Sequence, residues 1–184
     1  HQAEHEAAEL SEAALRRPDA RYVLLTDADI QHSRDNLHRL VDKAERDGRD
    51  LVSLMVMLHC RSRWERLLIP AFVYFFQMLY PFPRVNDARS RVAGAAGGCM
   101  LVRSKALENA GGIASIREAI IDDCALAARL KPNGPIWLGL TDELRSLRPY
   151  QDLSAIWRMI ARSAFTQLRY SVALLAGTVV GLGI

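Results

Sequence analysis

The spacing of apolar residues along the 184-residue chain predicts short buried strands that alternate with amphipathic helices. Residues 21–26 and 51–58 are short, apolar runs, as expected of strands that are covered on both faces. Between them, apolar residues recur at helical spacing over 37–44, with Ser33 as the expected N-cap. Two strands joined by such a helix form a βαβ unit, which predicts an α/β fold with a mostly parallel sheet.

The second half of the chain continues this alternation. Residues 93–102 pass through two adjacent glycines into an expected strand, and residues 104–110 have the pattern of a short helix. Apolar residues at helical spacing follow the acidic pair at 122–123, and the Pro-Asn-Gly sequence at 132–134 is expected to end that helix. Residues 136–140 predict a further strand.

Three segments have the composition of helices that contact a membrane. Residues 67–83 carry no charge and contain six of the 13 aromatic residues, but prolines interrupt them and about 20 apolar residues are needed to span a bilayer. We therefore expect an interfacial or re-entrant segment over 64–83, with an ordinary buried helix as the alternative. An apolar stripe with arginines on the opposite face predicts an amphipathic interfacial helix over 151–170. The uncharged residues 171–184 are typical of the start of a transmembrane helix.

The two ends of the chain also lead to an expectation. The chain begins with His1 and ends within an apolar run, so we expect a fragment of a longer protein that lacks its N-terminal part. Basic residues just before the apolar run predict that this side faces the cytoplasm.

Composition and charge exclude several classes of protein. Half of the residues are apolar, which excludes a disordered chain. The 24 Lys and Arg against 21 Asp and Glu give a net charge of +3, which is too small to indicate a nucleic-acid partner. The cysteines Cys60, Cys99 and Cys124 are widely spaced and odd in number, so we expect buried thiols in a reducing compartment rather than disulfides or a zinc site.

The first candidate for chemistry is the Asp27-Ala28-Asp29 sequence that follows the first strand. Ligands of open α/β sheets bind beyond the carboxyl ends of the strands, where these two carboxylates are expected. Carboxylate oxygens bind Mg²⁺ or Mn²⁺ and leave positions for diphosphate oxygens. A solvated turn is the alternative interpretation.

Two further candidates lie later in the chain. Asp122 and Asp123 supply either a general base or only an acidic helix N-terminus, which the helix dipole favours. Gly97 and Gly98 allow a ligand to approach the backbone, or they only form a turn.

Taken in order, these motifs resemble those of the family 2 inverting glycosyltransferases with a GT-A fold, especially membrane-bound members that act on lipids. The resemblance covers residues 20–184 and is strongest to the glycosyltransferases associated with hopanoid biosynthesis. The stretches that carry it are Tyr-Val-Leu-Leu-Thr-Asp-Ala-Asp-Ile at 22–30, Leu-Val-Ser-Leu-Met at 51–55, Phe-Gln-Met-Leu-Tyr-Pro-Phe-Pro at 76–83 and Ile-Trp-Leu-Gly-Leu at 136–140.

The resemblance implies a role for each candidate. Asp27 and Asp29 match the motif that binds the metal and the nucleotide-sugar, with Asp29 as the direct metal ligand. Asp123 matches the catalytic base, and Asp122 stands beside it in a supporting position. The remaining matches are Gly97 and Gly98 on the acceptor side, and Arg169 at the position that clamps the diphosphate.

The resemblance also implies a domain plan and a set of partners. Residues 1–150 would form a partial GT-A domain, followed by an interfacial helix at 151–170 and the start of a transmembrane helix at 171–184. The expected partners are a nucleotide-diphosphate sugar, Mg²⁺ or Mn²⁺, a lipid acceptor such as a hopanoid, and the inner (cytoplasmic) membrane, with the catalytic part facing the cytoplasm. No nucleic acid is expected.

Two other functions fit parts of the pattern. Phosphatases of the haloacid dehalogenase type also place Asp-x-Asp after a strand, but a Thr or Val usually follows the second Asp closely, whereas Ile30 and Gln31 follow here. The second alternative is a membrane-associated scaffold or remnant without catalytic activity, in which the acids are only surface charge.

Overall fold

The computed structural model describes residues 19–112, 122–150 and 152–167; of Asp122 and of residues 162–167 it describes the backbone alone. Arg169 and the expected transmembrane segment at 171–184 lie outside the described residues. The elements, in chain order, are β1 (Tyr22–Thr26), β2 (Ile30–Gln31), α1 (Asn36–Arg46), β3 (Leu51–Met57), α2 (Arg63–Leu79), α3 (Phe82–Asn86), β4 (Cys99–Arg103), α4 (Ser104–Asn109), α5 (Asp122–Leu130), β5 (Ile136–Ser146) and α6 (Leu153–Gln167).

The described residues belong to two compact units. The first unit contains the described residues up to Leu58 together with those of Tyr80–Leu147, and it includes the five strands. The second unit contains His59–Leu79 and the described residues from Arg148 onward, which form α2 and α6.

The strands of the first unit form one sheet in the order β1-β4-β3-β5-β2. Strand β4 and most of β3 are buried, because their Val, Leu, Met and Cys side chains are covered on both faces. The core lies between the sheet and α1, which contributes Leu40 and Ala44. This is a mixed α/β fold with a five-stranded sheet flanked by helices.

The prediction of a mostly parallel sheet is wrong for the strand pairs. Of the four pairs in the described sheet, only β3–β5 is parallel, whereas β1–β4, β3–β4 and β2–β5 are antiparallel. Strands β1 and β3 do run in the same direction, as the βαβ pattern predicts, because each is antiparallel to β4. The apolar β4 lies between them, and local patterning of β1, α1 and β3 contains no signal for that insertion.

Helix α1 begins later than the sequence predicts. Its N-cap is Asp35, without a side-chain capping hydrogen bond, and Ser33 instead accepts the Asn36 N–H through its backbone carbonyl at 3.2 Å. Gly48, two residues beyond the helix, has φ +59°, a left-handed conformation that glycine adopts without strain.

A capping box begins α2 in the second unit. Ser62 Oγ accepts the Glu65 N–H at 3.2 Å, and Glu65 Oε2 accepts the Ser62 N–H at 2.7 Å. The Ser-x-x-Glu spacing at 62–65 is the pattern typical of a capping box. Glu65 also accepts the backbone N–H of Arg61 at 2.9 Å and of Tyr150 at 2.9 Å, which ties the segment before α6 to the start of α2.

Both helices of the second unit expose large apolar side chains. Helix α2 spans 17 residues with Pro70 inside it and ends at Leu79. Within the described ranges, the structure contains no helix with the length and apolar character needed to cross a bilayer. The exposed side chains are Trp64, Leu67, Tyr74 and Met78 on α2, and Leu153 and Trp157 on α6.

Candidate functional site

The Asp-x-Asp sequence forms a tight turn between β1 and β2. Strand β1 ends at Thr26, and the Ile30 N–H closes the turn by donating to the Asp27 carbonyl at 3.2 Å. Asp27 is exposed and Asp29 is half-buried. The turn therefore places both residues directly after the carboxyl end of β1, as the sequence predicts.

The far end of β5 holds Asp29 in place. Ser146 Oγ donates to Asp29 Oδ2 at 2.6 Å, and the Leu147 N–H donates to the Asp29 carbonyl at 2.9 Å. The two chain segments meet because β2 pairs antiparallel with the last residues of β5, with Ile30 opposite Ser146. A carboxylate has about four acceptor positions, and Ser146 uses one of them.

Sequence reasoning missed Ser146 because it ended this strand at residue 140. The structure extends β5 to Ser146, through a register irregularity opposite Met55–Met57. Residues 141–146 are mostly polar, and burial of Leu144 and Ser146 alternates there with exposed neighbours. Leu144, at alternating spacing from Ser146, was the one signal for a strand in this segment.

Asp123 and Gly97 lie together, although 26 positions separate them in the sequence. The Gly97 N–H donates to Asp123 Oδ2 at 2.8 Å, and the Cys124 N–H donates to Asp123 Oδ1 at 2.7 Å. A Cβ added to Gly97 would lie 3.3 Å from Asp123 Oδ2, so the glycine allows this close approach. Helix α5 begins at Asp122, as predicted, and the Asp122 side chain lies outside the described residues.

Gly98 joins this arrangement to the Asp-x-Asp turn. Thr26 Oγ1 donates to the Gly98 carbonyl at 2.8 Å, and the sheet register places Thr26 opposite Cys99. A Cβ added to Gly98 would lie 2.8 Å from Val56 Cγ2, which leaves no room for a side chain. Thr26, which precedes Asp27, and the carboxylate of Asp123 are therefore hydrogen-bonded to two consecutive residues, Gly98 and Gly97.

The cysteines of the first unit are not suited to nucleophilic chemistry. Burial of the Cys124 thiol, together with the charge of Asp123, raises its pKa to about 12, and Cys99 is fully buried with a raised pKa caused mainly by burial. Both are therefore neutral thiols, as expected of buried cysteines. The expectation of burial is wrong for Cys60, which is exposed.

The carboxylates at the turn suit a metal ion that is shared with a substrate. Among the residues that the structure describes, no group of three or more His, Cys, Asp or Glu side chains is arranged to hold a metal ion by itself. Mg²⁺ usually binds through one or two carboxylates, water and substrate phosphates rather than through a complete protein cage. Asp27 and Asp29, with Asp29 oriented by Ser146, fit this kind of site.

Comparison with known proteins links the described site to a family. A family described as "Glycosyl transferase family 2" matches residues 10–111, which is more than half of the chain. The match includes Asp27, Asp29, Gly97 and Gly98 and ends before Asp123. No curated protein matches the chain.

Proposed function

The chain belongs to glycosyl transferase family 2, and from this premise we propose that it transfers a sugar from a nucleotide-diphosphate sugar to a hydroxyl group of a lipid, with inversion. The observation that carries the proposal is the pair of hydrogen bonds at consecutive glycines: Gly97 to Asp123 and Thr26 to Gly98. Through these bonds the candidate base lies near the Asp-x-Asp turn. A sugar donor held at the turn and an acceptor activated by the base could therefore meet.

In the proposed site, Asp27 and Asp29 are the residues that would hold Mg²⁺ or Mn²⁺ for the donor diphosphate. The bound ion would supply positive charge next to the diphosphate leaving group. Asp29 would be the main ligand, because the Ser146 hydroxyl orients its carboxylate.

Asp123 acts as the general base of the proposed reaction. The backbone N–H groups of Gly97 and Cys124 fix the orientation of its carboxylate. The acceptor oxygen forms a bond to the anomeric carbon as the bond from that carbon to the diphosphate breaks. The hydroxyl proton passes to Asp123, and the nucleoside diphosphate leaves. A single displacement of this kind inverts the anomeric centre.

The lipid acceptor and the cytoplasmic membrane are proposed from the second unit. The exposed Trp64, Leu67 and Tyr74 of α2 are amphipathic or apolar side chains of the kind that enter a bilayer interface. Helix α6 exposes Trp157 beside Arg158, a pairing suited to anionic headgroups. The stretches that resemble hopanoid-associated members favour a hopanoid as the acceptor.

Binding to vesicles tests this membrane proposal. We expect the full-length protein to float with anionic phospholipid vesicles. Trp64→Ser combined with Trp157→Ser should reduce the bound fraction several-fold, because both indoles lose their interfacial contact. Undiminished flotation of the double variant would contradict the membrane role of these side chains.

The experiment that tests the catalytic proposal compares two neighbouring acids. Asp123→Asn keeps the size of the side chain but cannot accept a proton, so turnover with a panel of nucleotide-diphosphate sugars and a lipid extract should fall by about 10²–10⁴-fold. Donor affinity should stay close to that of the wild type, because Asp27 and Asp29 bind the donor. Asp122→Asn is the matched control and should be milder.

The results separate the alternatives. If Asp122→Asn is the more damaging variant, the base is Asp122. If both variants transfer sugar normally, the acidic pair is only a helix N-terminus. A wild-type protein that binds donors without transferring sugar would be the scaffold or remnant, and family membership already separates the chain from haloacid dehalogenase phosphatases.

A further inference from the structure

His32 lies beside the site, and each of its two ring nitrogens has a hydrogen-bond partner. Its Nε2 is 2.8 Å from Thr26 Oγ1, and its Nδ1 is 2.9 Å from the Asn36 side-chain Nδ2. A lone histidine in a sequence is most often a surface or packing residue, and the sequence offers nothing more for His32. The structure places it between the first turn of α1 and the last residue of β1.

The partners of these atoms determine which nitrogen carries the proton. Thr26 has one hydroxyl hydrogen, and the Gly98 carbonyl at 2.8 Å is a much nearer acceptor for it than the Asp27 carbonyl at 3.4 Å. With that hydrogen on the Gly98 carbonyl, the threonine oxygen accepts from His32, an arrangement that requires the proton on Nε2. Nδ1 accepts from the Asn36 amide. The same amide nitrogen lies 3.7 Å from Cys99 Sγ, and Asn36 is only 4% exposed, so its orientation is held by buried surroundings.

A chain of three hydrogen bonds therefore runs from α1 to the Gly98 carbonyl, next to the residue that bonds to the candidate base. The Asn36 amide donates to His32, His32 donates to Thr26, and Thr26 donates to the Gly98 carbonyl. The adjacent Gly97 N–H donates to Asp123. Within the first three bonds every donor meets an acceptor, an arrangement in which hydrogen bonds polarise one another. The Gly97 N–H belongs to a different peptide group, so only the backbone between the two glycines links the Asp123 bond to this chain.

The other neutral tautomer would break this order. With the proton on Nδ1, the unprotonated Nε2 would require the Thr26 hydroxyl hydrogen, and the Gly98 carbonyl would lose its donor. The end of β1 and the glycine pair would then lose the side-chain hydrogen bond that joins them. The position of the His32 proton thus decides whether the Thr26 hydroxyl donates to the Gly98 carbonyl.

We propose that His32 is a positioning residue for glycosyl transfer: its Nε2–H, through Thr26, fixes the Gly97–Gly98 segment and with it the carboxylate of Asp123. The effect on catalysis rests on the proposed function, whereas the tautomer and the hydrogen-bond chain do not. In this role His32 acts only as a fixed N–H donor, and it keeps its proton throughout the reaction.

A spectroscopic measurement tests the chain without any assay of activity. In alkaline buffer, where imidazoles are neutral, ¹⁵N shifts of the full-length protein should show His32 protonated on Nε2. The Gly97 amide peak should move in Thr26→Val, which loses the hydroxyl, and stay close to its wild-type position in Thr26→Ser, which keeps it. Protonation on Nδ1, or an unmoved Gly97 peak in Thr26→Val, would overturn the proposal.

Kinetics test the positioning role. Thr26→Val and His32→Leu should each lower kcat by about 10- to 100-fold, the range expected when a reacting group is misplaced. The donor KM should change little, since Asp27 and Asp29 remain. His32→Gln, which can present an N–H near the place of Nε2, should recover most of the activity, and the exposed His38→Leu is the matched control.

The outcomes distinguish this proposal from the proposed function. A wild-type protein without sugar transfer but with the expected ¹⁵N shifts would refute the function and leave the hydrogen-bond chain standing. Active protein in which Thr26→Val and His32→Leu keep the wild-type kcat would refute the positioning role. A loss that Thr26→Ser and His32→Gln do not recover would also refute it, because the effect would then be general destabilisation.

Discussion

The carboxylate of Glu65 in the second unit and those of Asp29 and Asp123 in the first differ in how fully the protein surrounds them. Glu65 is 1% exposed, and its oxygens accept three backbone N–H groups and contact His59 Nδ1 at 2.7 Å. Asp29 and Asp123 are half-buried; the Ser146 hydroxyl donates to Asp29, and the backbone N–H groups of Gly97 and Cys124 donate to Asp123. Burial closes the Glu65 carboxylate to ligands, whereas Asp29 and Asp123 are partly exposed to solvent.

The protonation of Glu65 shows the consequence of that enclosure. Burial acts to raise the pKa of the Glu65 carboxyl, but hydrogen bonds from the backbone of Ser62 and Tyr150, from His59 and from the backbone of Arg61 outweigh it and hold the pKa far below its usual range. A strongly perturbed carboxyl often marks a catalytic site. Here the shift has a structural origin, because the donors that cause it hold the start of α2 and the segment before α6 together.

This contrast predicts the largest effect on stability at Glu65. Glu65→Gln replaces one carboxylate oxygen with an amide NH₂ group. This group cannot accept hydrogen bonds, so the N–H groups that donate to that oxygen lose their acceptor. Each unsatisfied group costs about 1–3 kcal/mol, so the free energy of unfolding should fall by about 3 kcal/mol. Denaturant titration measures it. Glu143→Gln is the control: this exposed carboxylate pairs with Arg39 on the surface, where an ion pair contributes about 1 kcal/mol or less.

The same variant has an expected pH dependence. The folded-state pKa of Glu65 is lower than its unfolded value of 4.5, so its stabilisation is present above pH 4.5 and is lost as the pH falls toward the folded pKa. The stability difference between wild type and Glu65→Gln should therefore be present above pH 4.5 and shrink as the pH falls below it. A difference that stays constant in acid would contradict a charged Glu65 as the source of the stability.

Sequence patterns reveal those features of both regions that depend on residues close together in the chain. The capping box at Ser62 and Glu65 is readable from spacing, and the strand before Asp27 from its apolar run. The contributions of Tyr150 to Glu65 and of Ser146 to Asp29 are not readable, because each comes from a segment at least 85 positions away. Periodicity describes one element at a time, and long-range pairing such as β4 between β1 and β3 depends on the whole sheet.

The Asp-x-Asp turn should respond to mutation through ligand binding rather than stability. Asp29→Asn removes the anionic ligand, so the Mn²⁺-dependent affinity for nucleoside diphosphates should fall by more than about 100-fold, beyond the effect of losing a supporting partner. Calorimetric titration of the full-length protein measures it. Asp142→Asn is the control, since Asp142 is exposed on β5 and should leave the affinity unchanged. Unchanged binding by Asp29→Asn would remove this residue from the site.

The smallest effect is expected at Ser146, which supports Asp29 without binding a ligand itself. Ser146 Oγ donates to Asp29 Oδ2 at 2.6 Å, so Ser146→Ala leaves the carboxylate charged but free to rotate. Loss of such a supporting partner lowers metal affinity by about tenfold at the lower end of its usual range. Ser146→Thr keeps the hydroxyl and should recover the affinity in the same Mn²⁺ titration. If Ser146→Ala lowers stability but not affinity, the hydrogen bond only joins β2 to β5. Asp29 would then resemble Glu65, as a structural carboxylate.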